Sequence, residues 1–208
     1  AATSLMVEID VTGGLVLLEL VEVDGEAVAE VRAMVSLPGY DPNKINEQFE
    51  SLAADNPGRL FDRAAQGLYQ PGLILQPMIV ASAIESGKLE WEDAVINPFL
   101  PIVIDRQVQR CMTPRDEVAT LTHTWAEMIS MRCPRPLYDL GHRLGAETLD
   151  TIFNRFGLHG RPNLPIPTSG NATTTTDAGL AAIGQAALTV TPLQAALAAA
   201  VLAGDGRL

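Results

Sequence analysis

Apolar and polar positions alternate at the start of the chain, a pattern that predicts β-strands. The runs "SLMVEIDV" and "LVLLELVEV" flank "TGG", and "VDGEAVAEVRAMVSL" follows them. Asp24-Gly25 is a two-residue turn signal between alternating β-branched runs. We therefore predict two hairpins made of consecutive antiparallel strands that end at Pro38-Gly39. "GYDPNKIN" follows as a loop, because Pro42 disfavours helix at Asp41.

Helical spacing replaces this alternation later in the chain. We predict a short helix over 60–70, and a buried helix over 73–87 that is apolar nearly all round and closed by Gly87. Further helices are predicted in "TLTHTWAEMISM", in "PLYDLGHRLG", over 146–156 and over the Ala-rich residues 192–203. The segment 161–178 is rich in Pro, Thr and Asn, which favours an exposed loop.

Composition narrows the classes of function. The 208 residues carry a formal net charge of −11, which disfavours a nucleic-acid partner because an acidic surface repels phosphate backbones. No apolar run reaches about 20 residues, and no signal peptide is visible, so no membrane span is expected in this chain. The only cysteines, Cys111 and Cys133, do not make a metal site, and His123, His142 and His159 are widely spaced. No metal or cofactor is expected.

The stretch "YQPGLILQP" poses a local problem. A helix start usually has Ser, Thr, Asp or Asn to bond its free N–H groups, but the first turn after Pro71-Gly72 begins with Leu73. A polar group is missing at this position.

Five fragments explain what is missing. "RAMVSLPGYDPN", "NPGRLFDRAAQGLYQPG", "LYDLGHRLG", "RFGL" and "IGQAALTVTPLQAALAAAVLAGDG" occur in this order. Together they resemble the transpeptidase domain of class B and bifunctional penicillin-binding proteins, from about residue 5 to the last residue. The resemblance implies an α+β fold in which an N-terminal antiparallel sheet packs on a mainly helical body. We expect one degenerate domain over 1–208, with strands in 1–40 and mainly helices in 41–208.

In this family the turn before the central helix delivers Ser-Thr-x-Lys, whose serine attacks D-Ala-D-Ala or a β-lactam and whose lysine takes the proton. Here the serine position is Leu73, which has no nucleophilic atom, and the lysine position is Gln76, which cannot act as a base. The Ser-x-Asn position holds Arg132-Cys133-Pro134. The Lys-Thr-Gly strand does not occur before Leu208.

These replacements lead to the prediction that the chain is not an enzyme and has a binding or scaffolding role in a cell-envelope or multi-subunit assembly. The alternative is a fragment or subunit of a peptidoglycan D,D-transpeptidase whose remaining parts lie on another chain or beyond Leu208. Ser169-Gly170-Asn171 also fits Ser-x-Asn, but it lies in the loop after "RFGL". Cys133, between Arg132 and Arg135, is the one remaining candidate nucleophile, since nearby cations favour a thiolate.

The resemblance also implies a compartment and partners. It places the chain outside the cytoplasm, where a Cys111–Cys133 disulfide is a candidate because related proteins carry a cysteine near position 111. We expect a protein partner, either a second copy or another chain that completes the N-terminal sheet. Peptidoglycan is a candidate ligand.

Overall fold

The computed structural model describes residues 12–112, 122–204 and 206. The strands are β1 Gly13–Val23, β2 Glu26–Leu37, β3 Ala94–Ile96, β4 Ile102–Ile104, β5 Gln107–Gln109 and β6 Thr122–Thr124. The α-helices are α1 Ile45–Asp55, α2 Gln76–Glu85, α3 Trp125–Met131, α4 Pro134–Leu144, α5 Ala146–Arg155, α6 Ala178–Ala182 and α7 Pro192–Ala203. Short 3-10 turns occupy Pro42–Lys44, Pro57–Arg59 and Gly72–Leu75. The predicted α+β class is confirmed.

The N-terminal sheet is a long antiparallel hairpin of β1 and β2. Asp24 and Gly25 both have positive φ, 54° and 83°, as a two-residue hairpin turn with the twist of its strands requires. The pairing runs from Val23 with Glu26 to Gly13 with Leu37, with one irregularity at Leu17/Leu18. This hairpin is the one that the Asp24-Gly25 signal predicts. The strand expected in "SLMVEIDV" lies outside the described residues.

The described residues group into two compact units. The first contains residues 12–69, 156–172 and 189–204, and in it β1 packs against α7. The second contains residues 70–112, 122–155 and 173–188. Its helix α2 is almost fully buried, and α4, α5 and α6 pack on one another. The assignment of residues 1–208 to one domain stays a prediction.

Two sequence-based assignments in the first unit are corrected by the structure. The helix predicted over 60–70 is wrong: Asp62 Oδ1 accepts the N–H groups of Ala64 and Ala65 in a tight turn, and Tyr69 forms a β-bridge with Val190. Helix α1, which was not predicted, begins at Ile45, inside the stretch "GYDPNKIN" that was predicted to be a loop.

Most of the remaining helices follow the predicted pattern. Helix α7 has the predicted bounds, and α5 ends two residues before Gly157, which has a φ of 69°. The segment "TLTHTWAEMISM" is helical only from Trp125, because Thr122–Thr124 pairs with β3 in a small antiparallel sheet. No helix in the described part of the chain is both long and apolar enough to span a bilayer.

Candidate functional site at the start of helix α2

The start of helix α2 is satisfied by backbone rather than by a polar side chain. Gly72 has a φ of 59° and opens a 3-10 turn that runs into α2 without any side-chain cap. Its N–H donates to the carbonyl oxygen of Gly184, at 3.2 Å. This carbonyl supplies one of the acceptors that the sequence lacks at the helix start.

Gly184 makes this contact possible because it has no side chain. Its φ is 66°, a conformation that L side chains rarely adopt. A Cβ atom at this position would stand 2.6 Å from the carbonyl oxygen and 2.7 Å from the Cα of Gly72. The "IGQ" within the family-like "IGQAALTVTPLQ" therefore fixes the turn that precedes α2.

The side chains of the 3-10 turn are apolar. Leu75 is fully buried, Leu73 is half-buried and Ile74 is 47% exposed. At the position where the family has its nucleophilic serine, Leu73 offers only methyl and methylene groups, which cannot attack a carbonyl.

Gln76 lies one turn further along, at the lysine position of the family motif. It is 3% exposed, and its Nε2 donates to the carbonyl oxygen of Met128 in α3, at 3.4 Å. An amide has no titratable group in the physiological range, so Gln76 cannot take a proton. Its role in the structure is a buried hydrogen bond between α2 and α3.

The second motif position forms the turn between α3 and α4. Arg132 is exposed and left-handed, with a φ of 51°, Cys133 precedes the first residue of α4, and Pro134 begins that helix. Proline suits this first position because it has no N–H that needs an acceptor. The polar pair of the family's Ser-x-Asn is replaced by a helix end and a helix start.

Cys133 and Cys111 form a disulfide, and their Cα atoms lie 4.1 Å apart. This is the pairing that the family resemblance implies. Cysteine attacks as a thiolate, and a sulfur held in a disulfide has no thiolate form. Cys133 is therefore not available for attack while the bridge is intact.

The other Ser-x-Asn match is part of the loop packing in the first unit. The N–H of Ser169 donates to Ala65 O at 3.0 Å, and Asn171 Nδ2 donates to Thr189 Oγ1 at 2.6 Å. Leu73 belongs to the second unit. The contacts of Ser169 and Asn171 connect the loop to its own unit.

The histidines do not form a metal centre in the residues that the structure describes, where no group of three His, Cys, Asp or Glu could hold an ion. His123 is buried, with Nδ1 3.1 Å from Glu127 Oε2. The pKa of Glu127 lies below its ordinary value because the N–H of Thr124 donates to the carboxylate and, to a smaller extent, because His123 does. His142 packs edge-on against Tyr138, with ring centroids 4.7 Å apart.

Sequence reasoning missed a buried polar side chain with several hydrogen bonds in the first unit, Gln194. It is 1% exposed; its Oε1 accepts the N–H of Thr191 at 2.9 Å, and its own N–H donates to Thr191 Oγ1 at 3.0 Å. Its Nε2 donates to the carbonyls of Leu158 and Gly160 at 2.9 and 2.7 Å. The signal was present as Thr-x-x-Gln before an apolar run, which is a capping box.

Comparisons with known proteins fit this geometry. A family model described as "Penicillin binding protein transpeptidase domain" matches residues 26–208. Peptidoglycan D,D-transpeptidase MrdA of Acinetobacter baumannii is 26% identical over 85% of this chain and 29% of its own length. Peptidoglycan D,D-transpeptidase PbpA of Mycobacterium tuberculosis is 29% identical over 86% of this chain and 39% of its own length.

A solved structure gives the same relationship in three dimensions. The ceftriaxone acyl-enzyme complex of penicillin-binding protein A from M. tuberculosis matches with a TM-score of 0.76 and 26% identity, covering 94% of this chain and 45% of that chain. The chain therefore spans about a third of the length of the curated relatives it matches, and the fold is a partial penicillin-binding-protein transpeptidase fold.

These relatives correct the prediction that the chain is not an enzyme. They are named as D,D-transpeptidases, and the family points to enzymatic activity. The prediction took Leu73 and Gln76 as decisive, but their chemistry only excludes these two side chains as nucleophile and base. The family model matches 183 of the 208 residues, counted from 26 to 208 inclusive. The chain belongs to the penicillin-binding-protein transpeptidase family.

Proposed function

We propose that this chain forms part of a peptidoglycan D,D-transpeptidase and contributes the framework around helix α2 to that enzyme. The observation that carries the proposal is the likeness to a penicillin-binding protein solved as an acyl-enzyme, at 26% identity and a TM-score of 0.76. The curated relatives carry D,D-transpeptidase names. The sequence analysis gave the same function, a fragment or subunit of a D,D-transpeptidase, as its alternative to a binding or scaffolding role.

In this proposal the framework provides two local contacts that position helix α2. The backbone contact of Gly72 with Gly184 sets the turn that begins α2, and the Gln76–Met128 hydrogen bond connects α2 to α3. The nucleophile and base of acyl transfer are residues other than Leu73 and Gln76, because neither side chain has the required atom.

The proposed location is outside the cytoplasm. The support is the Cys111–Cys133 disulfide, since structural disulfides persist in oxidising compartments and are rare in the cytosol. Peptidoglycan, the substrate in the names of the relatives, is the proposed ligand of the complete enzyme.

We also propose a protein partner at the N-terminal hairpin. The support is that β1 and β2 form a sheet of only two strands in the described residues, and unpaired strand edges favour the addition of another strand. A second copy of the chain and a separate protein are the two candidates.

The transpeptidase proposal is tested by labelling the natural full-length protein, isolated with its native partners, with a fluorescent penicillin. We expect a covalent label that survives denaturation and is blocked by unlabelled penicillin G. Peptide mapping should place the adduct on a hydroxyl residue at a position other than 73.

Heat-denatured protein is the control for non-specific acylation. Absence of the label, under conditions in which M. tuberculosis PbpA is labelled, would overturn the proposal. An adduct on a lysine that also forms in the denatured sample would count against it in the same way.

A further inference from the structure

One edge of strand β2 has no strand beside it in the described part of the chain. β2 pairs with β1 on its other edge, and no backbone hydrogen bond joins Met34–Leu37 to any other described segment. The side chain of Ser36 is engaged with the 61–63 segment: its Oγ donates to Phe61 O and accepts the N–H of Arg63. The backbone groups that point away from β1 remain open to an added strand.

A groove of about 810 Å³ lies along this part of β2. Four consecutive β2 residues, Met34–Leu37, form one side, and Gln48 and Leu52 of helix α1 also line it. A smaller cavity of about 270 Å³ shares Tyr40 and Arg59 with it. Four strand residues span about 13 Å, so the groove has room for an extended segment of about four residues.

Two cationic side chains line the groove. Lys44 and Arg59 line it, are exposed, and have no side-chain hydrogen bond or ion pair with a described residue. Cations in a concave site raise the local concentration of anionic ligands.

One carboxylic side chain, Asp41, also lines this groove, and a second, Asp62, lines the smaller cavity. Asp41 Oδ1 accepts from the N–H and Nδ2 of Asn43, at 3.0 and 3.2 Å. Asp62 Oδ1 accepts the N–H groups that form its own turn. The larger groove is thus lined by two cationic side chains and one carboxylic side chain, and Lys44 and Arg59 are the side chains that can bind an incoming anion.

We propose that this groove binds an extended acidic segment of a partner protein, which adds to the open edge of β2 and places carboxylates against Lys44 and Arg59. Main-chain hydrogen bonds to Met34–Leu37 provide affinity, and the two cations provide selectivity and orientation. Met34, Leu37 and Leu52 accept the alternate apolar side chains. The inference rests on the partner part of the proposed function and specifies the chemistry of that partner.

A second copy of this chain is a poor occupant on the grounds of charge. In a two-fold dimer the same patch meets itself. Pairing through β2 would therefore bring Lys44 and Arg59 towards their own counterparts. Like charges placed together at an interface are unfavourable. A separate acidic segment avoids this repulsion.

The test uses the full chain and a fluorescein-labelled peptide of alternating Glu and Val, six residues long. We expect saturable binding by fluorescence anisotropy at low salt that weakens at about 0.5 M salt, as screened charges require. A Lys/Val peptide of the same length should not bind. The Glu/Val peptide with N-methylated amides should also fail, because it cannot form ladder hydrogen bonds.

Variants identify the site. Lys44→Glu combined with Arg59→Glu should raise the Kd about tenfold or more. Arg161→Glu is the matched control, because Arg161 is also exposed and does not line the groove. Circular dichroism checks that each variant is folded. In hydrogen exchange, bound peptide should protect amides within Met34–Leu37.

Three results would overturn the proposal: no binding of the Glu/Val peptide, equal binding of the Lys/Val peptide, or affinity unchanged in the groove variant. A dimer in sedimentation with Met34–Leu37 protected would assign the edge to a second copy, and so would reject the acidic segment while supporting a partner. Penicillin labelling tests the transpeptidase proposal and peptide binding tests the acidic-segment proposal, so failure of one is distinguishable from failure of the other.

Discussion

Replacing Gln194 by leucine tests what holds the first compact unit together. The two side chains are similar in size and in helix propensity, so the change removes the amide and keeps most of the volume. The Thr191 N–H then loses its acceptor, and the carbonyls of Leu158, Gly160 and Gly157 lose their donor. The substitution isolates the hydrogen bonds of one buried side chain.

The magnitude follows from which of these groups water can reach. Gly157 and Gly160 are exposed, so solvent can replace the amide there. Thr191 and Leu158 are buried, at 0% and 1% exposure, so their N–H and carbonyl groups stay unsatisfied. An unsatisfied buried group costs about 1–3 kcal/mol, which gives a loss of about 2–6 kcal/mol for the two. That is a large share of the roughly 5–15 kcal/mol of a typical domain.

Urea unfolding followed by circular dichroism measures this loss. We expect the midpoint to fall while the m-value stays constant, which indicates a change in stability rather than in the surface exposed. Gln48→Leu is the control: Gln48 is an exposed helical glutamine without a side-chain hydrogen bond to a described residue, and its variant should stay within about 0.5 kcal/mol of wild type. If Gln194→Leu also changed the free energy of unfolding by less than about 0.5 kcal/mol, the argument from buried unsatisfied groups would be refuted.

Three further predictions concern the second unit. Reducing its disulfide, which closes a loop of sequence separation 22, should lower the free energy of unfolding by about 3 kcal/mol in urea titrations, and thiol assays of unfolded, unreduced protein should find no free thiol. The pKa of the Glu85 carboxyl lies below its ordinary 4.5 because Arg155 donates hydrogen bonds to it. Its contribution to stability should therefore be complete above pH 4.5 and be lost as the pH falls through the lowered pKa. Glu85→Gln should remove this pH dependence, and an unchanged pH profile of stability in the variant would contradict the pairing. Gly184→Ala should lower the free energy of unfolding by more than about 2 kcal/mol in thermal unfolding, because backbone strain and a clash with Gly72 add. Gly87 has a φ of 67° and open space around it, so Gly87→Ala should cost only about 1 kcal/mol. Equal losses in the two variants would contradict the close approach of Gly184 to Gly72.

The sequence predicted the elements whose ends are determined locally. Helix α7 has the predicted bounds because Pro192 at its first turn and its Ala-rich sequence define it locally, and the capping box of Thr191 and Gln194 adds to this start. The hairpin of β1 and β2 is equally local, since Asp24-Gly25 determines its turn. In both, the residues that specify the element are adjacent to it in the chain.

The sequence-based assignments are wrong where contacts with residues distant in sequence, or weakly buried apolar positions, determine the local structure. Tyr69 is held by N–H and carbonyl bonds to Val190, which local spacing could not reveal, and the predicted helix over 60–70 is therefore absent. Helix α1 carries Ile45, Phe49 and Leu52 at helical spacing but buries no residue fully, so its apolar signal is weak.

The candidate site shows the same division between local chemistry and distant support. The side chains at positions 73 and 76 could be judged from the sequence, because leucine and glutamine have fixed chemistry. The partner of Gln76, the carbonyl of Met128, comes from a residue 52 positions away. The acceptor for the N–H of Gly72, in Gly184, is also distant in sequence. Neither contact is visible as a motif.

This division explains how the chain can keep the family fold with leucine at the serine position. The turn before α2 is set by two glycine backbones, and α2 is connected to α3 by an amide. None of these contacts uses a side chain at position 73, so the fold places no demand for serine there. Likeness in fold therefore does not depend on which side chain stands at position 73. The family likeness supports the proposed transpeptidase function, and adduct mapping tests which residue of the complete enzyme is acylated.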